Sequence, residues 1–276
     1  NFQEQWERAF ELDPEVVFLT GWNEWIAMQL NRKDQGPPVF CDQYDLELSR
    51  DVEMMTGGYG DSYYMQMAAN IRKYKGMAPP APVTPAQTID LAGSFTQWEQ
   101  VTPVYRDHAL DTLPRDHAGC GDNHYRNQTG RNDLRILKVT HDQENISFYA
   151  QTGEDISPAT DPNWMWLLID VKGKNLPNWE GFNFLINRKV AGASQTSLDR
   201  CTGGWHWKPV ASVDYRVTGN QMHVVIPKAL LGIEGDSFAV EFKWIDNCQE
   251  PGDIMDGYTN GDTAPEGRFR YRYEMQ

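Results

Sequence analysis

The stretch "MAPPAPVTP" at residues 77–85 puts four prolines into nine positions. Proline locks φ and lacks a backbone donor, so this run fits neither a helix interior nor a central strand. It reads as a stiff linker, 78–85, between two regions with different patterns. At 276 residues the chain is long enough for two domains.

Beyond the prolines the pattern is that of short strands and turns. The segments 134–140, 145–151, 164–171, 181–188, 212–218, 221–227, 238–245 and 267–274 are the expected strands. The last has the cleanest period of two: Phe269, Tyr271 and Tyr273 alternate with Arg268, Arg270, Arg272 and Glu274. Gly219-Asn220 predicts a tight hairpin, and 227–232 a single helical turn. The expected fold for 86–276 is mainly β: an antiparallel β-sandwich, jelly-roll-like.

Residues 1–77 read differently. Phe2, Trp6, Ala9 and Phe10 have helical spacing, "EVVFLT" at 15–20 is a short buried strand, and 62–76 is a second helix. This is one or two αβ units, too few for an eight-stranded barrel of about 250 residues.

The net charge is −14 and is shared by both regions, which excludes the basic footprint of a nucleic-acid partner. No apolar run reaches the ~18 residues of a membrane span. Cys41, Cys120, Cys201 and Cys248 are scattered without a C-x-x-C pair, against a structural zinc site. Disulfides and isolated buried thiols both remain open for them.

Three groups of residues carry candidate chemistry. In "FLTGWNEWIAMQL", 18–30, Glu24 lies between Trp22 and Trp25 just after an apolar run. Apolar walls raise a carboxyl pKa toward that of a general acid, so Glu24 is a candidate catalytic group for sugar cleavage. Among the tryptophans, Trp179, Trp205 and Trp207 lie in glycine-bearing loops and Trp164 on a strand; each fits either core packing or a sugar-stacking face. Asn183 and Arg188 could hydrogen-bond sugar hydroxyls or serve as sheet-end residues, whereas Trp244 reads as core. Asp246, Asp253, Asp256 and Asp262 lie in an oxygen-rich loop of a kind that suits calcium, though without EF-hand spacing. Calcium is the one cofactor expected, and none is required.

"GWNEW", followed by "DQYDLELSRDVEMM" and "YYMQMAANIRKYKG", resembles the end of the (β/α)8 barrel of glycoside hydrolase family 99 and its WbsX-like relatives. Glu24 falls on the first acid of that family's motif and Ala27 on the second, which implies that the family's acid/base is missing unless Asp42 or Asp45 replaces it. The stretches "YRNQTGRNDLRILKVTHDQENISFYAQT", "DPNWMWLLIDV", "NWEGFNFLINR" and "FKWIDN" resemble family-9 carbohydrate-binding modules and their DOMON-like relatives. That resemblance implies sugar held between tryptophans and, in some members, calcium. Together the two imply an exported, carbohydrate-binding region of a polysaccharide-degrading enzyme. Its partners would be an oligosaccharide or polysaccharide and a catalytic barrel N-terminal to it, and the chain alone would not catalyse. Two further readings stand beside this one: a working glycosidase piece with Glu24 catalytic, and a purely structural sandwich.

Overall fold

The computed structural model describes residues 1–23, 51–54, 58–118 and 124–275. The chain forms two compact units. One comprises Asn1–Pro80 with Ala118–His124, the other Ala81–His117 with Tyr125–Gln276.

In the first unit, α1 (Phe2–Leu12) starts at a capping box in which Asn1 and Glu4 bond reciprocally. Its one buried residue, Trp6, stacks on Phe10 at 5.8 Å and meets Tyr74 of α2 (Ser62–Lys75) at 6.4 Å. The expected strand at 15–20 does not form, and Phe18 is 85% exposed. No strand among the described residues offers it a ladder, and an apolar run without a partner cannot satisfy its backbone as a strand. The described part of this unit holds two helices and no barrel-like αβ pairing.

The second unit is mainly β. Its strands are β1 (Val104–Arg106), β2 (Arg115–Ala118), β3 (His124–Asn127), β4 (Leu134–His141), β5 (Asn145–Thr152), β6 (Trp166–Val171) and β7 (Phe184–Val190). There follow β8 (Gln195–Gly203), β9 (His206–Thr218), β10 (Gln221–Pro227), β11 (Phe238–Asp246), β12 (Asp262–Ala264) and β13 (Tyr271–Met275), with α3 (Ile254–Asn260) before β12. Apart from the separate β2–β3 pair, these form one antiparallel sheet in the order β1-β4-β5-β10-β9-β8-β7-β6-β11-β12. β12 and β13 lie end to end along the free side of β11. The sheet curls until it is nearly a closed barrel, so the two walls expected of a sandwich are halves of one continuous ladder.

The alternating residues explain the curl. Leu137 and Val139 of β4, Phe148 of β5, Met222 and Val224 of β10, Leu167 and Ile169 of β6 and Phe242 and Trp244 of β11 all point into one core. Phe148 and Phe242 meet edge to face across it at 5.5 Å. Gly219, at φ 58°, takes the positive-φ place of the β9–β10 turn. In β13 the alternation is as the sequence suggests: Tyr273 is fully buried, while Arg272 reaches Glu274 and Glu241 outside. The proline-rich stretch is not free throughout its length. Val83 packs against the main core, and the Thr84 amide donates to the Thr102 carbonyl.

Candidate functional site

Outward-facing Trp166 and Leu168 of β6, Leu185 of β7, Cys201 of β8 and Ile245 of β11 form a second apolar cluster on the outside of the sheet. Three loops cover it. The first brings Trp179 and Phe182, the β8–β9 turn brings Trp205 with Trp207 just inside β9, and the third brings Cys248 and leads to Ile254 at the start of α3. The β8–β9 turn is tight because Gly203 and Gly204 adopt φ of 121° and 53°. Trp205 is the hub. Its ring centroid lies 4.4 Å from Trp179, 5.3 Å from Trp166 and 5.5 Å from Trp207. Trp205 and Trp207 are partly exposed, and the Trp207 indole nitrogen is buried without a hydrogen-bond partner. Trp179 is buried beneath them.

Arg188 supports this patch from below. Its guanidinium pairs with the fully buried Asp199 at 2.5 Å and donates to the Trp207 carbonyl at 3.4 Å. Asn183 is buried, and its carbonyl oxygen accepts from the Val171 amide at 3.0 Å, so it fixes the loop before Trp179 and does not face solvent. Trp164 is on the other side of the sheet. Met165 takes φ 44°, which breaks the alternation, and Trp164 enters the main core with its indole N–H on the Ser157 carbonyl at 2.9 Å. It has no exposed ring face for a sugar. Trp179, Trp205 and Trp207 thus share one cluster with Trp166, which the sequence does not single out, and Trp207 lies in β9 and not in a loop. Trp244 is buried in the main core.

A concave surface not singled out from sequence lies on the opposite wall. A groove of about 440 Å³ runs between the turn at Phe95–Trp98 and the outer face of β4, β5 and β10. Phe95, Tyr149, Gln151, Gln221 and Lys138 line it, and the Tyr149 hydroxyl donates to Gln221 Oε1 at 3.0 Å. Beneath it Trp98 donates its indole N–H to His223 Nδ1 at 3.1 Å.

The four aspartates expected to hold calcium do not converge. Asp246 is fully buried against Arg131 at 2.8 Å and accepts the Met165 amide. Asp253 caps α3 through the Met255 amide at 2.8 Å. Asp256 accepts from the amides of Gln249 and Glu250 and from Asn260. Each of these three carboxylates therefore has a structural role. Only Asp262 joins an acidic group, and its neighbours are Asp107 and Asp111, with one ligand-capable oxygen from each inside a 4.8 Å cluster.

Burial pushes Asp107 up to about 8, helped by Asp111 and Glu266; burial likewise raises Asp111, Asp262 and Glu266. Burial also pulls the Lys243 ammonium down to about 7. Lys243 donates to the carbonyls of Pro265 and Phe269. Asp107 Oδ2 and Asp262 Oδ1 are buried without a hydrogen-bond partner, while the Asp111 carboxyl faces that of Glu266. Clustered, oxygen-only donors of this kind fit a hard cation.

Glu24, Ala27, Asp42 and Asp45 lie outside the described residues, as do Cys41 and Cys120. Trp22 is exposed and meets Tyr64 edge-on at 6.1 Å. Cys201 and Cys248 are free, buried thiols. No helix among the described residues is long and apolar enough to cross a membrane. Compared with protein families, curated proteins and solved structures, the chain gives no significant match in any of the three.

Proposed function

We propose that the β unit is a carbohydrate-recognition domain, with Trp205 and Trp207 as its stacking platform. One observation carries the reading: two partly exposed tryptophans, Trp205 at a glycine-built turn and Trp207 just inside β9, pack in one cluster with Trp166 and Trp179. Rigid aromatic faces with solvent on one side suit the C–H faces of sugar rings and lose little entropy on binding. The resemblance of residues 1–77 to the end of a glycosidase barrel supports a setting in an exported polysaccharide-degrading protein. In that setting the β unit targets glycan while catalysis belongs to a barrel. The groove at Phe95 supports a second reading, in which its paired amides and aromatic floor take the sugar instead.

Calorimetry and affinity electrophoresis of the full chain against a panel of oligosaccharides and soluble polysaccharides test both readings. Trp205→Ala and Trp207→Ala should each cost about 2 kcal/mol, roughly 30-fold in Kd, at the tryptophan face. Far-UV circular dichroism must show that the variants are folded. Loss on Phe95→Ala with the tryptophan variants unaffected moves the site to the groove. Absence of binding to every glycan in the panel leaves the domain with a packing role alone.

A further inference from the structure

The sheet is nearly closed, and where it fails to close the ladder gives way to side chains. β1 and β4 stand on one side of that seam, β12 and β13 on the other. Two tyrosines bridge it reciprocally. The Tyr105 hydroxyl donates to the Arg272 carbonyl at 2.6 Å, and the Tyr271 hydroxyl donates to the Arg106 carbonyl at 2.8 Å. Their rings lie 4.9 Å apart. Asp107 follows β1 directly, Asp111 lies four residues further on, and Asp262 opens β12. The acidic centre is therefore part of the seam.

We infer that Asp107, Asp111 and Asp262 hold a hard divalent cation that acts as a clasp across this seam. The argument has three parts. First, the site is built and is not a solvated acidic patch. Asp262 is only 3% exposed; its Oδ2 is fixed by the Leu134 amide at 2.6 Å, and its Oδ1 faces the other two carboxylates without a partner. A buried acceptor left unpaired in a low-dielectric site costs free energy; protonation, toward which burial moves these carboxyls, relieves part of it, and a bound cation relieves it for the whole group at once. Second, the protein supplies too little positive charge of its own. Among the described residues Arg135 is engaged by Asp133 at 2.5 Å, Lys243 faces Asp107, Asp262 and Glu266, and His108 faces Asp111. Third, all candidate donors are carboxylate oxygens, the set that hard cations such as calcium prefer to softer metals. The ligands come from both sides of the seam, so a cation there ties segments some 150 residues apart in sequence, with Asp107 on one side and Asp262 on the other.

The clasp does not depend on sugar binding, and its test is separate. The full chain is stripped with EGTA, and calcium or magnesium chloride is then titrated in. Calorimetry should give one site per chain, and the unfolding midpoint of the β unit should rise by about 5 °C or more at saturating calcium. Hydrogen exchange should slow at 104–111 and 262–264 while the β9–β10 hairpin is unchanged. Asp111→Asn, which keeps the shape and removes a charge, should abolish both effects; Asp253→Asn, in the helix cap, should retain them. The inference is overturned if neither metal binds at millimolar concentration, if Asp111→Asn binds as well as the parent, or if protection appears away from the seam.

Discussion

Trp98→Phe isolates one buried contact whose protonation state the geometry fixes. An indole N–H can only donate, so His223 Nδ1 must be the unprotonated nitrogen. The proton is then on Nε2, which donates to the Leu91 carbonyl at 3.3 Å. Phenylalanine keeps a ring against Tyr149, which Trp98 stacks on at 5.2 Å, and keeps the backbone carbonyl that accepts from Lys138. It removes the donor and leaves a fully buried acceptor unpaired. That loss, with a small void, should cost about 2–3 kcal/mol at pH 7.5, or roughly 5–10 °C in the midpoint of the β unit.

The cost should also depend on pH. Burial, and after it Arg216, depresses the His223 pKa below its unfolded value of about 6.5, against the opposing pull of the Leu91 carbonyl. A depressed histidine contributes stability above the unfolded pKa and loses it as pH falls through the folded one. In the variant Nδ1 no longer faces a donor and accepts a proton more readily, so its acid loss is smaller. The gap between parent and variant should therefore narrow from pH 7.5 to pH 5. The gap, not the parent curve, is the measure, because the raised carboxyls at the seam shift stability in the opposite direction. Urea unfolding followed by far-UV circular dichroism gives both quantities. A variant as stable as the parent at pH 7.5, or a gap that stays constant with pH, would refute the tautomer assignment.

Two smaller tests bear on the loops around the aromatic face. A methyl at Gly261 would collide with the carbonyl oxygens of Asp246 and Gly257, so Gly261→Ala should lower stability by about 3 kcal/mol in urea titration, whereas Gly192→Ala, with open space around it, should stay within about 0.5 kcal/mol. Burial raises the thiol pKa of Cys201 and Cys248, so peptide mapping should find both unlabelled by iodoacetamide in the native protein and labelled after denaturation.

The strands that sequence reveals are those with an unmixed face. β4, β5, β10 and β11 each bury an apolar row, and the alternation finds them within a residue or two. β8 is not legible in the sequence because its buried positions include Thr196, Ser197 and Asp199, which read as turn chemistry, whereas in the fold Asp199 pairs with Arg188. At Trp164 the period-two reading puts two tryptophans on one face, and a single positive φ at Met165 sends them to opposite sides. "EVVFLT" has the composition of a strand but no partner among the described residues, and composition cannot supply one.

The two candidate sites differ in legibility for a related reason. Trp205 and Trp207 are conspicuous because two tryptophans follow a Gly-Gly pair within three residues. The acidic centre has no local signature: Asp107 and Asp111 sit in an ordinary turn, and the dense acidic run at 246–262 draws attention to Asp246, Asp253 and Asp256, whose carboxylates already serve Arg131, a helix cap and loop amides. The centre comes into being only when the sheet curls far enough to bring β1 beside β12. A barrel that closes by backbone pairing alone has no edge to protect. This one stops short, with three-residue strands β1 and β12 on either side of the gap, and the polar groups gathered there take over what the ladder leaves undone. If the inferred cation is bound, the seam is the place where loss of a single carboxylate should loosen the fold, whereas the wall under Trp205, continuous from β8 through β11, should stay in place.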